Sequence, residues 1–323
     1  MTTPKDGGTG YPDDGEYFSQ NYSPQPQGFS SYGGDEYAQE AGLYDVNASQ
    51  HGALRYHGTT LVDGTYGDGH DPHPLNDPAS NGWTHRRGTG KLDVMAAWSF
   101  GFKAVFANPM VWLLTGLAIL LISGVSGLLP LAGLVSLFLY PLLCSMALMG
   151  TLAKRFEFGQ VSAPRYGATL GTIVVLAVLA LIVSVILLLL LLTLPFVAEP
   201  LRDVTAMNTD PEDIETLLPI FGAAFKVLGV VTLVMLLISP FLYLSPFFAA
   251  DNAAGVGGAL KMGFAAAVRN YPQLLLFTVI SFVVTLLGTL ALVAGLIVAT
   301  PVCILASAHA YRQISGGPVP SED

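Results

Sequence analysis

The chain has 323 residues, 52% of them hydrophobic and only 11% charged, with a mean hydropathy of +0.56 and a formal charge of −9. These values exclude an ordinary water-soluble domain and point to an all-α, polytopic membrane helix bundle. The acidic balance, with no basic patch, argues against a nucleic-acid partner.

Residues 1 to 90 hold 12 of the 23 acidic residues, 4 of the 14 basic residues and 8 of the 13 tyrosines, among Gly, Pro and Ser. Such a stretch buries too little apolar surface to offset its ordering entropy, so a disordered acidic tail is expected there. Its net charge of −8 accounts for nearly all of the chain's −9. Five of the six histidines, His51, His57, His70, His73 and His85, lie in it without cysteines or a helical i, i+4 pair, so no metal site is assigned. The first apolar run begins near residue 109, so the first spanning helix is expected to serve as its own insertion signal.

A membrane span needs about 20 apolar residues. The block 108 to 153 carries no charge, and Ser123-Gly124-Val125-Ser126-Gly127 with Pro130 divides it into helices over about 108–125 and 130–153. Residues 168–198 make a third span. Residues 217–249 make a fourth, with the first turns up to Lys226 expected along the interface. The block 273–311 fits two helices with a turn near Leu287 to Leu290, giving six spans, residues 91–315 as the membrane domain and 316–323 as a short C-terminal tail. Cys144 and Cys303 fall in apolar runs as small apolar residues. With the N-terminus inside, Lys91, Lys103, Lys154, Arg155, Arg165, Lys261, Arg269 and Arg312 all fall on inside segments, whereas the loop 199–216 is acidic. Basic loops stay on the cytoplasmic side, so both termini are expected there, in a cell membrane.

The spans contain a parallel repeat. Gly101-Phe102, five residues and Asn108-Pro109 recur as Gly263-Phe264, five residues and Asn270-Tyr271-Pro272. Ala132-Gly133-Leu134 ahead of Pro141 and Cys144 then recurs as Ala294-Gly295-Leu296 ahead of Pro301 and Cys303. Each copy begins with an amphipathic lead-in helix. In the first, Trp98, Phe100, Phe102 and Phe106 are expected in the headgroups with Lys103 toward water. Pro109 and Pro272 suit a first helical turn, while Pro141, Pro240, Pro246 and Pro301 fall within spans and should kink them.

The run Leu242-Tyr243-Leu244-Ser245-Pro246-Phe247-Phe248-Ala249-Ala250-Asp251-Asn252, with Gly295, Thr300-Pro301 and Ala310-Tyr311-Arg312, resembles a group of bacterial six-span proline- and glycine-rich membrane proteins of unknown function. That group is similar to the membrane domain of some glycerophosphodiester phosphodiesterases. The resemblance covers about residues 91 to 315, implies the six-helix architecture and supplies no catalytic residue.

Chemistry within spans usually requires ionisable groups there, and only Lys226 and His309 come close. His309 is expected at the interface near Arg312. Asp251-Asn252 reads as a helix end turning into the glycines that follow. No Walker loop, nucleophile elbow, zinc signature or dinucleotide fingerprint occurs, so no catalytic residue, metal or cofactor is assigned and the chain is read as a non-enzyme. The preferred reading is a membrane scaffold that organises lipids or protein partners, with the tail recruiting a cytoplasmic protein. The alternative is a transporter, channel or lipid-handling protein for an uncharged or amphipathic solute.

Overall fold

The computed structural model describes residues 53–56, 59–62, 82–128, 132–161, 163, 165–195, 214–251, 253–291 and 294–321. The chain divides into two units, Met1–Tyr37 and Ala38–Asp323, and every described residue belongs to the second. Most of them are helical.

Asp93 opens α1 (Val94–Ala107), its carboxylate accepting from Ala96 N at 2.9 Å as an N-cap. Asn108 ends that helix, and Pro109, whose missing N–H costs nothing in a first turn, opens α2 (Pro109–Leu128) at a bend of 103°. Next come α3 (Ala132–Gly150), a 3₁₀ turn (Phe158–Gln160) and α4 (Tyr166–Leu191). α5 (Ile214–Tyr243) runs through Lys226 as one helix, and its stretch long and apolar enough to cross a membrane begins at Ala224. Pro246, unable to donate to the helix ladder, marks the break before α6 (Ser245–Ala250). The second lead-in helix is α7 (Val256–Arg269), capped by Asn270 and followed by α8 (Tyr271–Leu290). α9 (Leu296–Ser315) ends at Gly316, whose φ of 75° is left-handed and whose N–H reaches back to Arg312 O.

The repeat read from the sequence is visible in these boundaries. α1 and α7 each have 14 residues, α2 and α8 each have 20, and the starts of each pair (94 and 256, 109 and 271) are 162 residues apart. The lead-in helices even expose apolar pairs at matching positions, Phe102 with Phe106 and Phe264 with Val268. Trp98 and Phe100, however, do not face outward as expected. Both are buried, Trp98 against Phe277 and Phe100 stacked on the His309 ring, because α1 packs along α9.

Among the described residues, three helical stretches are long and apolar enough to cross a membrane: Tyr166–Leu191, Ala224–Ala250 and Tyr271–Leu290. The bent pair α1–α2 adds a fourth if it counts as one span. The most apolar window of α4 has 0% of its residues buried inside the bundle, and Leu181, Ile186, Leu189 and Leu190 are all exposed. A continuous apolar surface of that kind belongs against lipid rather than water. This is a membrane protein with several long apolar helices.

Among the described residues, four short strands accompany the helices. β1 (Ala53–Tyr56) pairs antiparallel with β2 (Thr59–Val62), and β3 (Thr84–Arg87) with β4 (Pro318–Ser321). Residues 82–90, grouped by sequence with the tail, thus fold against the end of α9: Trp83 is buried beside Phe100, and Gly88 N and Gly90 N donate to Gly317 O and Gln313 O. Gly88 permits that approach, since a Cβ there would lie 2.4 Å from Arg312 O.

Candidate functional site

The end of α9 reads Ala306-Ser307-Ala308-His309-Ala310-Tyr311-Arg312-Gln313, polar residues spaced by alanines. The alanines let neighbouring backbones close in, and every residue from Ile304 to Ser315 is buried. Gly101 on α1 has the same effect from the other side, with Val302 O only 2.7 Å from where its Cβ would stand.

At the centre is an ion pair. Arg312 Nη1 donates to Asp251 Oδ2 at 2.8 Å, with both side chains at 0% exposure. Tyr311 Oη donates to the same carboxylate oxygen at 2.9 Å, and Arg312 Nε donates to Thr151 Oγ1 at 3.2 Å. Thr151 in turn donates to Leu148 O at 2.6 Å, while its own carbonyl meets His85 Nε2 at 2.9 Å. A buried charge is stable only when paired and hydrogen-bonded, and these contacts supply both conditions. Asp251 does cap a helix, α6, as its sequence suggests, but its side chain also ties α6 to Tyr311 and Arg312 on α9, and Arg312 carries the link on to Thr151 at the end of α3.

The residue after Arg312, Gln313, reaches back one turn: its Nε2 donates to His309 Nδ1 at 2.9 Å and to Asp93 O at 3.2 Å, and its Oε1 accepts from Asp93 N. His309 Nε2 faces Pro320 O at 3.4 Å. Nδ1 therefore accepts while Nε2 carries the proton, which fixes the neutral tautomer. Burial drives the His309 pKa down from 6.5 to about 4; the nearby Arg86 charge adds to the fall, whereas the Pro320 carbonyl and Asp93 oppose it. The expectation of an interfacial His309 is thus corrected: it is 2% exposed, because α1 and β4 cover it.

Asn270, also buried, accepts from Leu92 N and donates to Gly90 O and Ala266 O, each at 3.2 Å. Its counterpart Asn108 donates to Phe156 O at 2.8 Å. Both repeated asparagines thus end a lead-in helix and tie that corner to another segment. Pro109 and Pro272 are exposed at the starts of α2 and α8, whereas Pro141 and Pro301 are buried within α3 and α9. Asn252, the tail histidines His51, His57, His70 and His73, and the acidic loop residues up to Asp213 lie outside the described residues.

The structure joins Asp251, His309, Arg312 and Asn270 into one buried polar layer and leaves Asn108 at a separate corner. Sequence reading missed Thr151, Tyr311, Gln313 and Asp93. A polar side chain every one or two residues at the end of an apolar helix was the available signal. Among the described residues, no three His, Cys, Asp or Glu side chains gather as a metal ion requires.

Beside this layer, α2, α3, α5 and α9 line a partly open cavity of about 230 Å³, so the helices that carry Pro141 and Pro301 both border it. The chain matches no family model, no curated protein and no solved structure in the three comparisons, so any functional reading rests on this geometry.

Proposed function

We propose that the chain is a non-enzymatic scaffold of the cell membrane. Six spans, α2, α3, α4, α5 with α6, α8 and the apolar part of α9 ahead of His309, cross the bilayer, and α1 and α7 lie along the cytoplasmic interface. Lipid contacts the outer apolar surface, both termini are cytoplasmic, and the part of residues 1 to 90 ahead of the segment packed on α9 recruits a protein partner. The observation that carries this reading is the Asp251–Arg312 pair. Its two charges are spent holding α3, α6 and α9 together, as in a fixed frame, rather than facing an open path. The bias of basic residues toward the assigned cytoplasmic segments agrees with the orientation.

The test is affinity purification from native membranes after mild crosslinking, comparing the full chain with one lacking residues 1 to 81, which keeps Trp83 and the β3 strand that pack on the end of α9. A stoichiometric partner that depends on the tail is the expected result, and recovery of neither form with a partner would refute the scaffold. Cysteines placed singly at 160 and 205 and probed with an impermeant maleimide test the topology, since the first should react from the cytoplasmic side and the second from the opposite one.

A second reading, a lipid-handling protein or carrier for an uncharged or amphipathic solute, is favoured by the cavity between α2, α3, α5 and α9.

A further inference from the structure

We propose that this cavity is a binding site for an uncharged amphiphile bearing a hydroxyl group, whose hydrocarbon segment fills the space and whose hydroxyl meets the Tyr243–Ser307 pair. The inference rests on the reading above only in requiring that the bundle lie in a membrane.

Size and shape come first. An apolar cavity of about 150 Å³ holds a benzene ring, so about 230 Å³ has room for roughly nine heavy atoms. Ser123, Ser136 and Tyr140 line it and are exposed, forming the rim, whereas Ile304 and Ser307 are buried and form the floor. Leu121, Leu134, Phe138 and Leu142, on the same two helices as the rim, are exposed apolar residues. The mouth therefore opens on a surface suited to lipid, which favours a molecule already dissolved in the bilayer over one arriving from water.

The lining chemistry selects the head group. Among the described residues, no Asp, Glu, Lys, Arg or His lines the cavity, so a charged ligand would be buried without a counter-charge. At the floor, Ser307 Oγ lies 2.9 Å from Tyr243 Oη and 2.5 Å from Cys303 O. Rotation of these hydroxyl protons lets the cluster offer the cavity either a donor or an acceptor. A ligand hydroxyl both donates and accepts and so fits either arrangement, whereas a carboxylate only accepts and an ammonium only donates.

Cys303 lines the same cavity and is half-buried, whereas Cys144, the chain's other cysteine, is fully buried. The experiment follows the alkylation of Cys303 by N-ethylmaleimide in the full chain held in phosphatidylcholine nanodiscs, read by mass spectrometry. The probes are 1-octanol, octanoate and octylammonium at equal membrane concentration. Octanol should slow alkylation at least fivefold, and the two charged probes less than twofold. Tyr243→Phe, which removes one oxygen and keeps the ring, should reduce the octanol effect to less than twofold; Ser307→Ala serves as the second variant. Equal slowing by all three probes, no slowing by octanol, or full protection retained in both variants would each overturn the proposal. A chain that fails to incorporate into nanodiscs defeats the membrane reading and this inference together. Loss of the tail's protein partner would leave the octanol result unchanged, so the two tests fail separately.

Discussion

Arg312 and Asp251 meet at 2.8 Å across 61 residues of sequence, with neither side chain reaching solvent. The pair holds the end of α9 to the break between α6 and α7, and Thr151 extends it to the end of α3. Breaking a buried pair on one side costs more than deleting it, because the remaining charge stays buried without its partner.

Asp251→Ala should therefore destabilise the fold by about 3 to 5 kcal/mol. The double variant Asp251→Ala with Arg312→Met should recover part of that loss, since no charge is then left in the interior. Thermal unfolding of the purified variants in one detergent decides the matter. A double variant no more stable than Asp251→Ala would show that the pair is not what links these helices.

Gly116 and Gly124 lie two turns apart on α2 and should respond to alanine with opposite signs. A Cβ at Gly116 would stand 2.0 Å from Ile297 O, where the backbones of α2 and α9 touch, and 2.8 Å from Ile297 C. Gly116→Ala must push the helices apart, at a cost of about 1 to 3 kcal/mol. At Gly124 nothing lies within 4 Å, so alanine should gain up to about 1 kcal/mol of helix propensity. Equal melting temperatures for the two variants would contradict the close α2–α9 approach.

The contrast between these two glycines shows what could be read from the sequence. Local signals were legible: the Asn-Pro and Asn-Tyr-Pro steps mark the corners between lead-in and long helices, and the spacing of 162 residues follows from the repeated Gly-Phe and Asn positions. Glycine alone does not reveal its neighbour, so Gly116 and Gly124 look alike until α9 is placed. Gly167 and Gly171, four residues apart, are a similar case: the first faces open space and the second meets only a Val256 methyl. The polar layer was hidden for the same reason. Asp251 and Arg312 each look like residues at a helix end, and only tertiary packing brings them together. The number of spans is hard to read because α9 turns polar halfway and α1–α2 bends sharply, so neither resembles a uniform apolar rod.

The repeated asparagines should differ in strength. Asn270→Ala removes a buried side chain that serves Leu92 N, Gly90 O and Ala266 O; Ala266 O keeps the Asn270 N–H, but the buried Leu92 N loses its acceptor, for a loss of about 1 to 3 kcal/mol. Asn108→Ala removes one half-buried bond to Phe156 O and should cost about 1 kcal/mol. Amide hydrogen exchange separates them: Leu92 should exchange faster only in the Asn270 variant. Unchanged protection at Leu92 would mean that another contact holds the segment.

His309 gives the fold an acid-sensitive point. In the polar half of α9, beyond its apolar stretch, its ring is neutral, accepts from Gln313 at Nδ1 and stacks on Phe100. Protonation would place a second donor against the Gln313 amide, in a site whose burial already lowers the pKa from 6.5 to about 4. The folded chain then takes up this proton later than the unfolded chain as pH falls. The stabilisation is fully present above pH 6.5, is lost progressively between 6.5 and 4, and changes no further below that. The span of about 2.5 pH units corresponds to about 3 kcal/mol. Carboxylates titrate in part of the same range, so the informative quantity is the difference between the native chain and His309→Gln, melted at pH 7.5, 6, 5 and 4. That difference should narrow steadily with acid, and a constant offset across the four pH values would rule out a neutral buried His309.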